Sequence, residues 1–184
     1  MEIDKIQTNI LVLSRNRWGK TTLVKNLISK MPDYSCVILD THEEYTGKQY
    51  IISPNKKYGP AVLTRFIKTV INEPKYRKKL IVIDDIDVYK PNRSDEFYNF
   101  CVSNAHYKNG LLLIARRAIF LPKIVIGNAY YIIFSGAVPP EDKIYLKKIG
   151  INQNVLQKSS LLELHNFLCY DTVNGKIEKM MSNV

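Results

Sequence analysis

The feature that most constrains the fold is an apolar run followed directly by a loop and then by a helix-forming segment. Residues 10–13 read Ile-Leu-Val-Leu, and with their neighbours they predict a strand over residues 6–14 that is buried on both faces. Residues 20–30 carry apolar side chains at the spacing of one helix face, and Pro32 ends that segment. The sequence therefore predicts a strand, a loop and a helix in immediate succession.

The loop and the first turn of this helix carry the residues that a bound phosphate group requires. Backbone N–H groups at a helix N-terminus point at an anion, and the helix dipole adds to their attraction. Lys20 can reach the β and γ phosphates of a nucleotide, and the Thr21 hydroxyl can ligate Mg²⁺. This is the P-loop arrangement, and it predicts binding of ATP or a close relative together with Mg²⁺. The predicted binding residues are Ser14, Arg15, Asn16, Arg17, Trp18, Gly19, Lys20, Thr21 and Thr22.

One residue departs from the usual P-loop pattern. The motif ordinarily starts with glycine, whereas this chain has Ser14 at that place. The turn into the loop must then form without the positive φ that glycine adopts easily. We assign no chemistry to Trp18, and we expect Lys20 to lie in a solvent-accessible loop.

A second apolar run ends in two carboxylates. Residues 80–83 read Leu-Ile-Val-Ile and predict a buried strand, with Asp84 and Asp85 at its C-terminal end. In a P-loop enzyme Asp84 would bind Mg²⁺ through water, and Asp85 would orient and deprotonate the attacking water. Asp87 follows, and we expect it to point elsewhere. The predicted metal site therefore consists of Thr21 and Asp84, with Asp85 as the catalytic base.

Strand-like and helix-like segments alternate along the chain, without repeats or linkers. This alternation predicts an α/β fold with a mostly parallel sheet flanked by helices. Near the end, Asn174-Gly175 favours positive φ and predicts a hairpin between residues 167–171 and 176–180. We expect a single RecA-like P-loop domain over residues 1–184, with its core at about 6–136 and a helical segment and hairpin after it. Further strands are predicted at residues 35–40, 49–52, 79–84, 111–115 and 130–134, and helices at 61–72 and from Ser94 or Asp95 to about 106.

The composition limits the partners and the compartment. The chain has 27 Lys and Arg against 17 Asp and Glu, a formal net charge of +10. That charge suits a polyanionic partner, because neutralising phosphates releases counterions, although a solvated basic surface explains it equally well. No apolar run is long enough to cross a bilayer, so we expect a cytoplasmic protein. The three cysteines are flanked by apolar residues and are predicted to be buried free thiols: Cys36, Cys101 and Cys169.

Two further segments, taken with the phosphate site, resemble a known family. Residues 40–45 read Asp-Thr-His-Glu-Glu-Tyr, and residues 112–117 read Leu-Leu-Ile-Ala-Arg-Arg. The HerA/FtsK superfamily of DNA-pumping ATPases often shows Asp-Pro-His-Gly-Glu-Tyr at the first place and Gln-Arg or Arg-Arg at the second. The resemblance covers about residues 9–134, and the hairpin is similar to the tail of small viral members. Cellular members carry further domains, so this short chain most resembles the genome-packaging ATPases of membrane-containing and archaeal double-stranded DNA viruses.

The resemblance implies roles for several residues outside the phosphate loop. Arg116 takes the position of a polar sensor that reads the γ-phosphate, and Arg117 could reach the same nucleotide or that of a neighbour. Glu44 would lie near the rim of the active site. The family often places an arginine finger just before the fourth strand, where this chain has Lys108 and no arginine, so Lys108 and Arg117 are both candidates for it. The implied catalytic residues are Lys20, Asp85, Arg116, Arg117 and Glu44.

The resemblance also implies an assembly and a place of action. Members work as rings, commonly hexamers, with ATP between subunits and double-stranded DNA in the central channel. A capsid or membrane-embedded virion protein would be a further partner, and the host cytoplasm or the virion would be the location. The candidate DNA contacts are Lys56, Lys57, Lys75, Arg77, Lys78, Lys147 and Lys148.

Three other functions stay open on the sequence. An AAA+ replication initiator or helicase loader would suit residues 83–86, but it needs a helical lid where this chain predicts a hairpin. A small nucleoside or nucleotide kinase fits the length, but no arginine-rich lid follows Asp85. A DNA-binding P-loop scaffold without hydrolysis is the third, and the intact Lys20, Thr21, Asp84 and Asp85 argue against it.

Overall fold

The protein is built on one large β-sheet. In the computed structural model, which describes residues 8–55 and 57–181, eight strands lie in the order β3-β2-β4-β5-β1-β6-β7-β8. The first six strands along the chain pair in parallel. The seventh strand pairs antiparallel with the sixth, and the eighth pairs antiparallel with the seventh. The strands are β1 (Asn9–Ser14), β2 (Cys36–Leu39), β3 (Tyr50–Ile52), β4 (Leu80–Ile83), β5 (Gly110–Ala115), β6 (Tyr131–Ser135), β7 (Asn166–Asp171) and β8 (Ile177–Met181).

Helices connect the strands, and local residues explain where several of them begin. Gly59 and Pro60 start the second helix, because proline fits the first helical position, where its missing N–H costs nothing. The Ser94 hydroxyl accepts a hydrogen bond from the Phe97 N–H and caps the third. The helices are α1 (Lys20–Ile28), α2 (Pro60–Asn72), α3 (Asp95–Ser103), α4 (Lys123–Gly127), α5 (Pro140–Lys148) and α6 (Gln153–Ser159).

The sheet is buried on both faces, which explains the uninterrupted apolar runs. Leu11 and Leu13 of β1 face a core that α2 to α6 complete, whereas Ile10 and Val12 face the core under α1. Each apolar residue of a central strand therefore buries its side chain, whichever face it points to. The three cysteines lie in these cores as free thiols, as predicted.

The fold class expected from the sequence is confirmed, with shifts at the element ends. The first strand begins at Asn9, and predicted residues 6 and 7 lie outside the described part. The helix expected to reach residue 106 ends at Ser103 and continues as a 3₁₀ turn over Asn104–Tyr107. The C-terminal hairpin joins β7 to β8 as predicted. Within residues 8–55 and 57–181, no helix has the length and apolar character of a membrane span.

The strand order decides which chain segments meet. Strand β5 lies between β4 and β1, and all three are parallel. Their C-terminal ends therefore share one edge of the sheet, the edge at which open α/β sheets bind ligands. This edge brings together the loop after β1, the carboxylates after β4 and the arginines after β5.

Candidate functional site

The phosphate loop turns at two residues, neither of which is Ser14. Ser14 is buried, ends β1 and stays in register with Ser135 of β6. The positive φ angles occur at Arg17 (64°) and Gly19 (82°). The absence of the usual first glycine is therefore accommodated by extending the strand through that position. The chain then turns where Gly19 supplies the conformational freedom.

The N-terminus of α1 is open to an anion. Within residues 8–55 and 57–181 no side chain caps it with a hydrogen bond, and its first turn carries no acidic residue. Backbone N–H groups at such a helix start bind phosphate, and the helix dipole adds to the attraction. Trp18 lies against Gly136 in the segment after β6, so close that a Cβ on Gly136 would meet its ring at 2.8 Å. Trp18 thus packs the loop against the sheet edge.

Asp84 presents a carboxylate oxygen that the protein leaves unsatisfied. Its Oδ1 accepts the Asp85 N–H at 3.0 Å, while its buried Oδ2 has no hydrogen-bond partner among the described residues. Burial, with the nearby charges of Asp85 and Glu44, raises the pKa of Asp84 to about 7. An unpaired buried carboxylate is costly unless a cation satisfies it. The residue therefore fits the Mg²⁺ role predicted for it. Thr21, the other predicted ligand, lines an open cleft together with Lys20 and Asp85.

Asp85 lies between two nitrogen-bearing side chains. Its Oδ1 is 3.5 Å from Lys20 Nζ, and its Oδ2 is 2.9 Å from His42 Nε2. The residue has a φ of 44°, a left-handed conformation that is uncommon for aspartate and that is often found at functional sites. Lys20 is the first residue of α1 and only 8% exposed, so the expectation that it lies in an accessible loop is wrong.

The loop after β2 brings His42 to the site, a residue that sequence reasoning left without a role. Asp40 accepts the N–H groups of Glu44 and Tyr45 and so closes this loop on itself. The Thr41 hydroxyl donates to the Asp84 carbonyl and contacts the Tyr89 hydroxyl, which ties the loop to the end of β4. The signal available in advance was the histidine within the motif at residues 40–45.

Arg116 is held by the carboxylate of Asp87, a contact that sequence reasoning also missed. The Asp87 carboxylate accepts the Arg116 backbone N–H at 3.2 and 3.3 Å and its Nε–H at 3.1 Å. Asp87 was expected to point elsewhere; it is buried and lies in the 3₁₀ turn Ile86–Tyr89 directly after Asp85. The spacing of three carboxylates within four residues, 84–87, was the only sequence signal for it.

Arg117 contacts a different element from Arg116. Strand β5 ends at Ala115, so alternation along the strand, from which opposite directions were expected, does not extend to these two arginines. Its Nε–H donates to both oxygens of Asp142 at 3.2 and 3.1 Å, and its Nη2 lies 3.2 Å from Glu141. Both acids belong to the first turn of α5. Arg117 is therefore held on α5 of its own chain and does not line the cleft that contains Lys20 and Asp85. A role in a neighbour's site stays a prediction.

Most of the predicted site residues line one open cleft. The predicted residues that do not line it are Ser14, Arg15, Trp18, Asp84 and Arg117. The volume of the cleft is about 530 Å³, enough to hold the phosphates of a nucleotide. Ser14, Arg15 and Arg116 line a smaller cavity beside it. Lys108 lies before β5, at the opposite edge of the sheet. The residues that line the cleft are Asn16, Arg17, Gly19, Lys20, Thr21, Thr22, His42, Glu44, Asp85 and Arg116.

Comparison with known proteins finds similar structures but no similar sequence family or curated sequence. No protein-family model matches the chain, and no curated protein sequence matches it. The genome-packaging NTPase B204 of Sulfolobus turreted icosahedral virus 2, solved with AMPPCP, superposes with a TM-score of 0.80 at 19% identity, over 95% of this chain and 97% of that chain. B204 of Sulfolobus turreted icosahedral virus, a DNA-packaging ATPase, gives 0.75 at 18% identity, over 95% and 97%. The N-terminal domain of zonular occludens toxin from Neisseria meningitidis gives 0.57 at 11% identity, over 96% and 93%.

The match to B204 leaves almost no part of either chain uncovered. The chain therefore has the RecA-like P-loop NTPase fold that the B204 packaging NTPases have.

Proposed function

We propose that this chain is a Mg²⁺-dependent ATPase that translocates double-stranded DNA, and that it packages a viral genome. One observation carries the proposal: Lys20, Asp84, Asp85 and Arg116 meet at one sheet edge in a fold that matches the B204 packaging NTPases over 95% of this chain. The packaging role is that of the B204 proteins, and the side chains present here supply the chemistry.

Four residues of the cleft, together with Asp84 and the start of α1, have roles in hydrolysis. The N–H groups at the start of α1 and the Lys20 ammonium bind the phosphates, and Arg116 donates to the γ-phosphate. Asp85 accepts a proton from water as the water oxygen attacks the γ-phosphorus and the bond to the β–γ bridging oxygen breaks. ADP and inorganic phosphate are the products. Mg²⁺, held by Thr21 and through water by Asp84, would neutralise the charge that develops on the phosphates.

The described surface has a basic region suited to a DNA backbone, at the sheet edge opposite the cleft. The loops before β4 and β5 are joined there, since the Lys78 N–H donates to the Tyr107 carbonyl and the Gly110 N–H donates to the Lys79 carbonyl. We call this surface the basic end. It presents four cations that have no carboxylate within ion-pair distance among the described residues: Arg77, Lys78, Lys79 and Lys108.

The other candidate DNA contacts do not belong to the basic end as free cations: they are paired with a carboxylate, lie elsewhere on the surface or fall outside the described residues. Lys75 forms an ion pair with Glu73 at 2.6 Å. Lys147 and Lys148 are exposed at the end of α5, and Lys56 lies outside the described residues. We therefore assign the strongest phosphate contacts to the basic end. A ring of subunits, commonly six, would present this surface repeatedly to one duplex, and a capsid or membrane-embedded virion protein would hold the ring.

The test is ATP turnover with Mg²⁺, measured with and without duplex DNA. Wild-type protein should hydrolyse ATP faster when DNA is present. Lys20→Ala should lose nucleotide binding, and Asp85→Asn should bind ATP but lose hydrolysis, because the amide keeps the shape and removes the base. Lys30→Ala, an exposed lysine just after α1, is the control and should behave as wild type.

The outcomes separate the alternatives. Normal turnover by Lys20→Ala would remove the P-loop assignment, and normal turnover by Asp85→Asn would make Glu44 the better candidate for the base. Phosphate transfer to a small acceptor would indicate a kinase. Nucleotide binding without turnover under all conditions would indicate a scaffold.

A further inference from the structure

Two consecutive arginines are held in the same way by two buried carboxylates. Asp87 accepts Nε–H of Arg116 and the Arg116 backbone N–H, and Asp142 accepts Nε–H of Arg117 and the Ala118 backbone N–H. The two carboxylate side chains are 3% and 2% exposed. Each fixes both the backbone at the end of β5 and the direction of an arginine.

The two arginines differ in what their outer nitrogens meet. Arg117 Nη2 lies 3.2 Å from Glu141, on the surface of α5. Arg116 lines the nucleotide cleft, and neither of its two Nη nitrogens has a hydrogen-bond partner among the described residues. Asp87 thus occupies the inner edge of the guanidinium and leaves the outer edge, with its pair of donors, facing the place of the phosphates. Such a pair suits bidentate binding of a phosphate group.

A stabilising role alone is a poor explanation of Asp87. Burial raises the pKa of its carboxyl group, which Arg116 opposes, so the fold holds a charge where charge is costly. Replacing a buried ion pair by apolar residues is often neutral or stabilising. The position in the chain is informative as well, because Asp84, Asp85 and Asp87 belong to one short turn after β4.

We infer that Asp87 is a positioning residue that aims the outer N–H groups of Arg116 at the γ-phosphate. The inference rests on the proposed nucleotide site. Through it, one turn of the chain places the metal ligand Asp84, the base Asp85 and the phosphate-reading Arg116 relative to one another. Loss of the γ-phosphate would then remove a contact of Arg116, whose ion pair with Asp87 connects it to the same turn.

The experiment compares affinities for AMPPCP, which has a γ-phosphate group, and ADP, which has none. Arg116→Ala should lower the preference for AMPPCP roughly tenfold, the value of one charged hydrogen bond. Asp87→Ala should lower the preference by a similar factor. The double variant should prefer AMPPCP no less than Arg116→Ala does, because both changes remove the same contact with the γ-phosphate. Asp87→Asn, which keeps the shape, should fall between wild type and Asp87→Ala.

The matched control is Asp142→Ala, which removes an equally buried carboxylate from the neighbouring arginine. It should lower the melting temperature as Asp87→Ala does and leave the AMPPCP preference within about twofold of wild type. Unchanged preference in Asp87→Ala and Asp87→Asn, with a loss in Arg116→Ala, would overturn the inference, as would an equal loss in Asp142→Ala. Should Asp87→Ala not fold, Asp87→Asn decides alone. Wild-type protein that binds neither nucleotide would instead overturn the proposed function.

Discussion

At the scale of single residues, Asp84 shows the cost of burying a carboxylate at the proposed metal site. Its pKa is raised by burial to about 7 from an ordinary value of 3.8, so the folded state binds the proton more tightly than the unfolded state. Stability therefore falls as the pH rises between about 4 and 7, and stays low above that range. Asparagine cannot ionise. Without Mg²⁺, Asp84→Asn should be more stable than wild type at pH 8, by at most about 4 kcal/mol, and nearly equal to it at pH 4.

Thermal unfolding in a chelating buffer at the two pH values measures this difference. Asp33→Asn, which alters an exposed carboxylate paired with Lys48, is the control and should show no comparable gain at pH 8. A stability gain for Asp84→Asn that is the same at pH 4 and pH 8 would contradict the explanation by burial.

His42 is the second residue whose role can be tested alone. It lies within hydrogen-bond distance of Asp85, so its removal should leave the base free to rotate away from the attacking water. We expect His42→Ala to bind ATP normally and to lose turnover roughly 10- to 100-fold, the scale of a small misplacement. His42→Gln can still donate a hydrogen bond and should recover part of the loss. Glu43→Ala, in the same loop and exposed, should retain wild-type turnover; a loss equal to that of His42→Ala would indicate a general effect of the loop.

At the scale of elements, Asn9 joins the start of β1 to its neighbours. Its Oδ1 accepts the Leu111 N–H of β5 and the Asn104 amide, and its Nδ2 donates to the Asn128 carbonyl. Asn9→Ala removes all three hydrogen bonds, although the Asn104 amide keeps its bond to the Asn109 carbonyl, and should cost about 1–3 kcal/mol of unfolding free energy. Nucleotide affinity should be unchanged, because β1 separates Asn9 from the phosphate loop. Urea unfolding, with exposed Asn99→Ala as the control, checks this; weakened ATP binding at full stability would contradict it.

At the scale of the whole molecule, the proposed nucleotide cleft and the basic end lie at opposite edges of one sheet. Exchanging Lys78 and Lys108 for glutamate should therefore weaken DNA binding strongly and leave ATP turnover without DNA intact. The plot of log K against log[salt] has a slope of ~−0.9 per phosphate contact on duplex DNA, so the slope should become shallower by roughly two such units. Binding should be insensitive to the DNA sequence.

Fluorescence anisotropy at several salt concentrations measures this effect. The control exchanges exposed Lys123 and Lys158 for glutamate, the same change of net charge away from the basic end. Equal weakening in both double variants would mean that net charge acts and that the basic end has no special role.

The local part of the site was predictable because its signals are contiguous. A strand, the loop at residues 14–19 and Lys20-Thr21 follow one another in the chain, so the sequence by itself determined which loop joins β1 to α1 and is proposed to bind the phosphates. The same holds for the apolar run that ends at Asp84 and Asp85. Alternation of strands and helices likewise determined the α/β fold class.

Only the tertiary structure decided what holds these groups in place. His42 and Asp85 are 43 residues apart, and Asp87 and Arg116 are 29 apart, so no periodic pattern connects them. Their meeting depends on β5 lying between β4 and β1, and on the direction in which a 3₁₀ turn points one carboxylate. Side-chain direction in such a turn follows from packing against the sheet edge. The sequence determined which groups the site has, and the strand order determined which of them touch.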